Sequence, residues 1–217
     1  MTSLRPPPAL PSPPRLRDTR KRILDQARAH FFAHGYSTFT MDDLAAELGM
    51  SKKTLYVHFA GKDEIIGAII QDIGEETRSD AEAILRHREL NFTGKLHAFV
   101  ESVMQRLATL DPRTVRDLQR HAPALFARID EMRRKVIPYI FGRLVEEGRA
   151  EGLVRRDVPP AFAIEFFLHA MQGILQGPAL AHLRVMPREA IAQGIDLFFS
   201  GLLTPAGRKQ YEKLFPH

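Results

Sequence analysis

One segment, residues 40–62 (TMDDLAAELGMSKKTLYVHFAGK), constrains the fold of this chain more than any other. Thr40 and Ser51 each precede a short run of helix-forming residues, and a hydroxyl at that position caps a helix by accepting a backbone N–H. Gly49 lies between the two runs and can adopt the left-handed conformation that a tight turn needs. The segment therefore predicts two short helices joined by a tight turn, with leucine and phenylalanine on the buried side.

The second predicted helix turns basic and hydroxyl-bearing side chains away from its apolar side. A helix braced from behind in this way can enter the major groove of DNA, with the residues of its first turn at the base edges. Hydroxyl, imidazole and ammonium groups beside the groove bind phosphate oxygens. Any one of these side chains alone could be an ordinary solvated residue, but together they predict binding to double-stranded DNA. The predicted DNA-binding residues are Thr40, Lys52, Lys53, Thr54, Tyr56, His58 and Lys62.

The positive charge of the chain is concentrated around this segment. The whole chain has a net charge of +5, from 31 basic and 26 acidic residues. Residues 1–62 hold ten of the basic and five of the acidic residues, which leaves 21 of each for the rest of the chain. This distribution favours a polyanionic partner at the N-terminal end. A basic tail that only improves solubility is the alternative.

The chain divides into three parts by composition and periodicity. Residues 1–17 are rich in proline and arginine and predict a disordered arm, which could also contact an adjacent minor groove. Residues 18–64 predict a three-helix domain that contains the helix-turn-helix. Residues 65–217 have helical periodicity, with later helices expected near residues 93–109, 114–121, 123–147, 161–176 and 187–203. The predicted fold class is all-α.

Composition and motifs exclude several other classes of protein. The chain has no cysteine, which excludes disulfides and thiolate metal sites and fits a reducing cytoplasm. No apolar run approaches the roughly 18 residues needed to span a bilayer, and the N-terminus lacks the apolar stretch of a signal peptide. We therefore expect a cytoplasmic protein without a membrane partner.

No catalytic pattern is present, so we expect neither an enzyme nor a cofactor. His30 and His34 are four residues apart, a spacing that can hold a metal, but no HExxH motif surrounds them and no acid near them in the sequence completes a ligand set. We therefore predict no metal site. The basic run at residues 133–135 predicts a solvated helix face.

The helix-turn-helix segment resembles the DNA-binding domain of the tetracycline-repressor-like (TetR) family. The resemblance is carried by TMDDLA (40–45), LGMSKKTLYVHF (48–59) and Lys62, preceded by FFAHGY (31–36) and Phe39. It implies that Tyr56 and Lys62 contact phosphates and that Thr40 is the threonine at the start of the first motif helix. It also implies an all-α homodimer, with an N-terminal three-helix helix-turn-helix domain and a C-terminal helical ligand-binding and dimerisation domain.

The function implied by the resemblance is that of a repressor. Such a protein binds a palindromic operator as a dimer and is released by a small hydrophobic ligand. The alternative is a DNA-binding regulator without an inducer, whose C-terminal domain serves only dimerisation or a protein partner. A closed core between residues 93 and 176 would favour the alternative, and an open cavity there would favour the ligand.

Two sets of C-terminal residues are predicted to serve the ligand and the dimer. Large apolar groups with a few polar groups among them are typical of a small-molecule pocket, although any helical core has a similar composition. The predicted ligand-binding residues are Phe99, Met104, His121, Phe126, Phe166 and His169. Small and apolar residues at helical spacing suit a four-helix dimer interface, or packing within one chain. The predicted interface residues are Ile164, Phe167, Ala170, Ile174, Ile191, Gly194 and Phe198.

Overall fold

The computed structural model describes residues 13–108, 111–176 and 185–214, which form ten α-helices. The helices are α1 (Pro13–His34), α2 (Met41–Glu47), α3 (Lys52–His58), α4 (Lys62–Arg86), α5 (Phe92–Ala108), α6 (Pro112–His121), α7 (Pro123–Ala150), α8 (Pro160–Gln176), α9 (Pro187–Leu202) and α10 (Pro205–Leu214). Within these residues the only β-type pairing is a single antiparallel bridge between Val154 and Leu203. The all-α prediction is confirmed.

Two helix boundaries differ from the sequence-based expectation. The first helix begins at Pro13, five residues before the expected start at Asp18. Proline is tolerated in the first turn of a helix because the N–H that it lacks would have no partner there. Residues 1–12 of the predicted arm lie outside the described residues. The final helix, α10, was not expected from the sequence, and it too starts with a proline, Pro205.

Two hydrophobic cores organise the described residues. The N-terminal core is formed by α1 to α4 and includes Ile23, Phe31, Phe39, Leu44, Leu55, Phe59 and Ile66, each less than 9% exposed. The same core takes in Leu118 of α6 and Leu125 and Phe126 of α7. The C-terminal core is formed mainly by α5, α7, α8 and α9 and includes Phe92, Leu96, Phe141, Phe167 and Phe199.

Helix α4 connects the two cores. Its first half contributes Ile65, Ile66 and Ile69 to the N-terminal core, and its second half contributes Ala81 to the C-terminal core. Helix α7 packs along α4 and remains helical through Pro138. Both helices therefore reach from the helix-turn-helix to the C-terminal core. No helix within the described ranges is long and apolar enough to cross a membrane.

Candidate DNA-binding surface and ligand cavity

The two motif helices are capped by the hydroxyls that the sequence indicated. Thr40 Oγ1 accepts the backbone N–H of Asp43 at 3.1 Å, and Ser51 Oγ accepts that of Thr54 at 3.1 Å. Gly49 has φ of +61°, in the left-handed region, and the backbone N–H of Met50 donates to the Ala45 carbonyl at 2.9 Å. These contacts fix the turn between α2 and α3 and confirm the predicted helix-turn-helix.

Burial of one side of α3 determines which side chains it presents to solvent. Leu55 is fully buried, and Phe59, directly after the helix, is 1% exposed. The opposite side of the helix is open, with Tyr56 53% and Val57 70% exposed. Lys52, Lys53 and Thr54 in the first turn are exposed as well, whereas His58 at the C-terminal end is half-buried. The structure therefore places the predicted base-contacting residues together on one open surface.

Lys52 and Lys53 differ in their electrostatic surroundings although both are exposed. Lys52 Nζ lies 2.6 Å from a carboxylate oxygen of Asp42 on α2, and this hydrogen bond raises the pKa of Lys52. Lys53 has no ion-pair partner among the described residues. The Thr54 hydroxyl lies 2.8 Å from the Ser51 hydroxyl. The positive charge of Lys53 is therefore available to a phosphate, whereas Lys52 must give up Asp42 to contact DNA.

Lys62, at the start of α4, is held in place by the loop between α1 and α2. Its ammonium lies 4.1 Å from the centroid of the Tyr36 ring and 3.5 Å from the Tyr36 carbonyl oxygen. The Tyr36 hydroxyl donates to Asp63 at 2.6 Å, and burial together with this bond raises the pKa of Tyr36 to about 12. Tyr36 therefore stays protonated and positions a cation beside the end of α3.

A carboxylate on α6 ties the same loop to the C-terminal part of the chain. Asp117 accepts the backbone N–H of Ser37 at 2.7 Å and lies 2.9 Å from Nδ1 of His121. Burial opposes ionisation of Asp117, but the hydrogen bonds from Ser37 and His121 outweigh it and hold its pKa below the usual value. Gly35, with φ of +86°, leaves room for this approach, since a Cβ there would lie 2.9 Å from the Asp117 carboxylate.

The histidine pair on α1 contacts a carboxylate that is distant in sequence. Nδ1 of His30 lies 2.8 Å from Glu47 on α2, and Gln26 donates to the same carboxylate. These two bonds lower the pKa of Glu47. Folding brings α2 against α1 and so places the Glu47 carboxylate beside His30, although the two residues are 17 positions apart in sequence. No group of three or more potential metal ligands occurs within the described residues, and the contact joins the two helices.

A cavity of about 310 Å³ lies in the C-terminal part of the chain, between α4, α5, α7, α8 and α9. Its apolar wall includes Phe99, Val103, Ile140, Phe141, Phe167 and Phe199. Its polar and charged groups are Thr77, Arg106, Asp130, Arg133, Arg134, Glu165, His169 and Gln172. An apolar pocket with a few polar groups, of this volume, has the properties of a small-molecule site.

Two of the six residues predicted to bind a ligand, Phe99 and His169, line this cavity. Met104 packs against the C-terminal core, and Phe126 is buried in the N-terminal core. Phe166 is 57% exposed, because its neighbour Phe167 points inward instead. His121 is an exposed residue of α6, bonded to Asp117. Helical spacing predicts which residues share a face but not which faces enclose a space.

Arg133 is one of the residues of the cavity wall that sequence reasoning missed. The basic run 133–135 was expected to be solvated, and the side chain of Lys135 is indeed 73% exposed. The side chain of Arg133 is only 31% exposed and lines the cavity. Val136, Ile137 and Ile140 follow Arg133 at intervals of three, four and seven residues, which places them on the same helix face. That spacing is the sequence signal that could have identified Arg133 as a residue of the apolar helix face.

Most of the predicted dimer residues pack within the chain. Phe167 and Ile191 are buried in the C-terminal core, and Ile164, Ala170, Ile174 and Phe198 are partly buried against it. A Cβ on Gly194 would lie 2.5 Å from Met171, so this glycine serves the contact between α8 and α9.

The most exposed large apolar residues of α8 and α9 are not among the predicted interface residues. Phe162, Phe166 and Leu197 are 63%, 57% and 74% exposed. The rings of Phe162 and Phe166 stack at 6.3 Å, and those of Phe166 and Phe198 at 6.5 Å. We name the surface formed by Phe162, Phe166, Leu197 and Phe198 the α8–α9 outer face. Gly173 and Gly201 are exposed and would have open space at a Cβ.

Known proteins that are similar in sequence to this chain are bacterial transcriptional regulators. Residues 23–69, from α1 into α4, match the family described as bacterial regulatory proteins, tetR family. The HTH-type transcriptional regulator YvaF of Bacillus subtilis (strain 168) is 22% identical over 182 residues, which cover 84% of this chain and 94% of YvaF.

Solved structures share the fold over most of this chain. A transcriptional regulator of the TetR/AcrR family from Thermobifida fusca YX-ER1 superposes with a TM-score of 0.62 and 25% identity, over 85% of this chain and 98% of that one. SmeT, the repressor of the Stenotrophomonas maltophilia multidrug efflux pump SmeDEF, superposes with a TM-score of 0.64 and 18% identity, over 88% and 94% of the two chains. SmeT in complex with triclosan gives a TM-score of 0.58 with the same identity and coverage.

Proposed function

We propose that this chain, a DNA-binding transcriptional regulator of the TetR family and not an enzyme, acts as a dimeric repressor. In this proposal two copies bind a palindromic operator in the cytoplasm. A small hydrophobic ligand enters the cavity and releases the protein from DNA. SmeT, which shares the fold, is a repressor and forms a complex with triclosan.

The observation that carries the proposal is the open surface of α3. Because Leu55 and Phe59 hold the helix against the N-terminal core, its first turn and Tyr56 face solvent. We assign Lys52 and Thr54 to the base edges, where ammonium and hydroxyl groups can donate hydrogen bonds. We assign the phosphate contacts to Thr40, Lys53, Tyr56, His58 and Lys62.

Dimerisation is proposed to use the α8–α9 outer face. Three large apolar side chains more than half exposed on adjacent helices favour a protein contact. A two-fold symmetric pairing of α8 and α9 would form a four-helix interface, with the exposed Gly173 and Gly201 permitting close approach of helices. The two copies of α3 would then bind half-sites whose centres are about 34–36 Å apart, or a multiple of that distance.

Ligand response is proposed to pass through α4. This helix begins at Lys62 beside α3 and reaches the cavity at Thr77. Next to Thr77, Glu76 accepts two hydrogen bonds from Arg28 of α1, at 2.6 and 3.0 Å, and lies 3.8 Å from Arg106 of the cavity wall. A ligand that moves Arg106 or α4 would change the position of α1 and α3. Release requires that the ligand bind the two conformations with different affinities.

The open cavity favours this function over the alternative without an inducer, for which a closed core was expected.

A direct test of DNA binding compares two tyrosine variants. Tyr56→Phe removes only the proposed phosphate-binding hydroxyl and should weaken binding to every duplex roughly tenfold, as expected for a lost hydrogen bond to a charged group. Tyr139→Phe removes the hydroxyl of another exposed tyrosine, on α7, and should leave affinity unchanged. Equal affinities of Tyr56→Phe and wild type would contradict the assignment.

A further inference from the structure

Two arginines of the cavity wall, Arg106 and Arg133, lie toward the same end of it. Helices α5 and α7 run antiparallel, since Lys95 pairs with Glu147 and the rings of Phe99 and Phe141 are 5.8 Å apart. Arg106 lies seven residues beyond Phe99, and Arg133 lies eight residues before Phe141. At 1.5 Å per residue, both are about 10–12 Å along the helices in the same direction from the contact between the two rings.

The two arginines differ in how well their charge is compensated. Arg106 pairs with Asp80 and lies 3.8 Å from Glu76. The ion-pair contact of Arg133 is with Asp130, one turn earlier on α7, at a longer distance of 3.6 Å. Burial lowers the pKa of Arg133 even though Asp130 acts in the opposite direction. The desolvation of the Arg133 guanidinium is therefore not offset by the carboxylate that the chain supplies.

The carboxylates of the cavity wall do not favour a cationic ligand. Asp130 faces Arg133. Glu165 lies 3.6 Å from His169, and both of these α8 side chains are about 65% exposed. Arg134, the third arginine of the wall, is exposed. The partly desolvated charge at this end of the cavity is thus positive.

We propose that the effector is an amphipathic organic anion, a monocarboxylate with a hydrocarbon tail, whose carboxylate binds Arg133. The inference rests on the proposed ligand-responsive function and specifies the chemistry of its ligand. The guanidinium can donate two parallel hydrogen bonds to a carboxylate, a geometry that an ammonium or amide cannot match. The tail would lie among the aromatic side chains around Phe141, where removal of apolar surface from water stabilises the complex. Binding at Arg133 would place the anion at the same end of the cavity as Arg106, and thus near Glu76 and α1.

The test measures binding of three ten-carbon probes to the full-length protein by titration calorimetry. The probes are decanoate, decanol and decyltrimethylammonium, which share a tail and differ in the charge of the head group. Wild type should bind decanoate at least tenfold more tightly than the other two. Arg133→Gln should lose at least tenfold in affinity for decanoate and keep its affinity for decanol. Arg133→Lys, which keeps the charge but not the paired donors, should be intermediate.

The matched control is Lys135→Gln, which removes a cation from the exposed side of the same helix and should bind decanoate like wild type. Melting curves of each variant without a probe establish that it is folded. If Arg133→Gln is unfolded, the decanoate affinity of Arg133→Lys is compared with that of wild type instead. Undiminished decanoate binding by Arg133→Gln overturns the inference, and so does preferential binding of the cation or the alcohol by wild type, or binding of none of the three. Release of operator DNA is measured separately. If decanol releases DNA and decanoate does not, the anionic ligand is wrong while ligand-responsive repression stands.

Discussion

Adjacent lysines on α3 are expected to contribute differently to DNA binding. Lys53 has no ion-pair partner within the described part of the chain, whereas Lys52 is bonded to Asp42 at 2.6 Å. A cation that neutralises one phosphate changes the slope of log affinity against log salt by about 0.9. Within the first turn of α3, the unpaired ammonium of Lys53 should therefore contribute more than Lys52 to the salt dependence of DNA affinity.

We predict that Lys53→Ala weakens binding to specific and nonspecific duplexes alike and makes the salt slope shallower by about one. Fluorescence anisotropy titrations at several salt concentrations measure this slope. Lys135→Ala removes a similarly exposed lysine from α7 and serves as the control. A slope for Lys53→Ala equal to that of the control would mean that Lys53 does not contact phosphate.

Individual residues were predictable where their role is local in sequence. The caps Thr40 and Ser51 and the turn at Gly49 depend on neighbours within a few positions, and each is found as expected. Residues whose role depends on distant contacts were not predictable. Asp117 acts on Ser37, 80 positions away, and the apolar wall around Arg133 comes from α5, α8 and α9 as well as from α7 itself.

At the scale of helices, α6 packs on the N-terminal core through Leu118, and the Asp117 carboxylate also bonds it to the loop between α1 and α2. Asp117 has a pKa below its usual value, so it contributes stability that is present above the unfolded-state pKa of about 3.9. That contribution is lost as the pH falls through the lower pKa of the folded protein. Protonation of Asp117 therefore weakens the attachment of α6 only under acidic conditions.

Asp117→Asn should lower the free energy of unfolding by about 1 kcal/mol at pH 7. This is less than the roughly 1.5–3 kcal/mol of a hydrogen bond to a charged group, because asparagine keeps an oxygen that can accept the Ser37 N–H. The difference from wild type should shrink as the pH falls below about 4. Urea denaturation at a series of pH values measures both effects. Glu101→Gln, on the exposed side of α5, should change stability by less than about 0.5 kcal/mol. A difference that is constant with pH would show that the charge of Asp117 is not involved.

Two glycines of α7 provide a matched test of how its C-terminal end packs. A Cβ on Gly148 would lie 2.5 Å from Val154 and 2.8 Å from the Phe92 ring, whereas a Cβ on Gly142 would meet nothing within 4 Å. Gly148→Ala should destabilise the protein by about 1–3 kcal/mol through overpacking. Gly142→Ala should instead stabilise it by about 0.5–1 kcal/mol, because alanine is the better helix former. Urea denaturation of both variants decides the matter, and a stabilising Gly148→Ala would contradict the packing.

Helices were predicted from periodicity, but their partners were not. The ranges of α5 to α9 agree with expectation to within a few residues because the apolar residues of each recur at helical spacing. Helix α10 was missed, since its residues are mostly polar and only Gly207 and Tyr211 are buried. Which apolar residues of α8 and α9 face outward could not be predicted either, because both sides of these helices carry large apolar groups.

At the scale of the whole molecule, a DNA-reading end and a cavity-bearing end share two long helices. Helix α4 belongs to both cores, and α7 begins in the N-terminal core and ends in the C-terminal one. A structural change at the cavity can therefore reach α3 without an independent linker. The α8–α9 outer face lies on the cavity-bearing part, so dimerisation would leave α3 free to bind DNA.

The measurement that tests this account most directly is selection of duplexes bound by the full-length protein from a random-sequence library. The account predicts enrichment of an inverted repeat whose half-site centres are about one helical turn (about 34–36 Å), or a multiple of it, apart. Tyr56→Phe should bind the selected duplex more weakly than wild type does. Enrichment of a single unrepeated site, or of no sequence at all, would contradict the proposal that two copies of α3 read a palindromic operator.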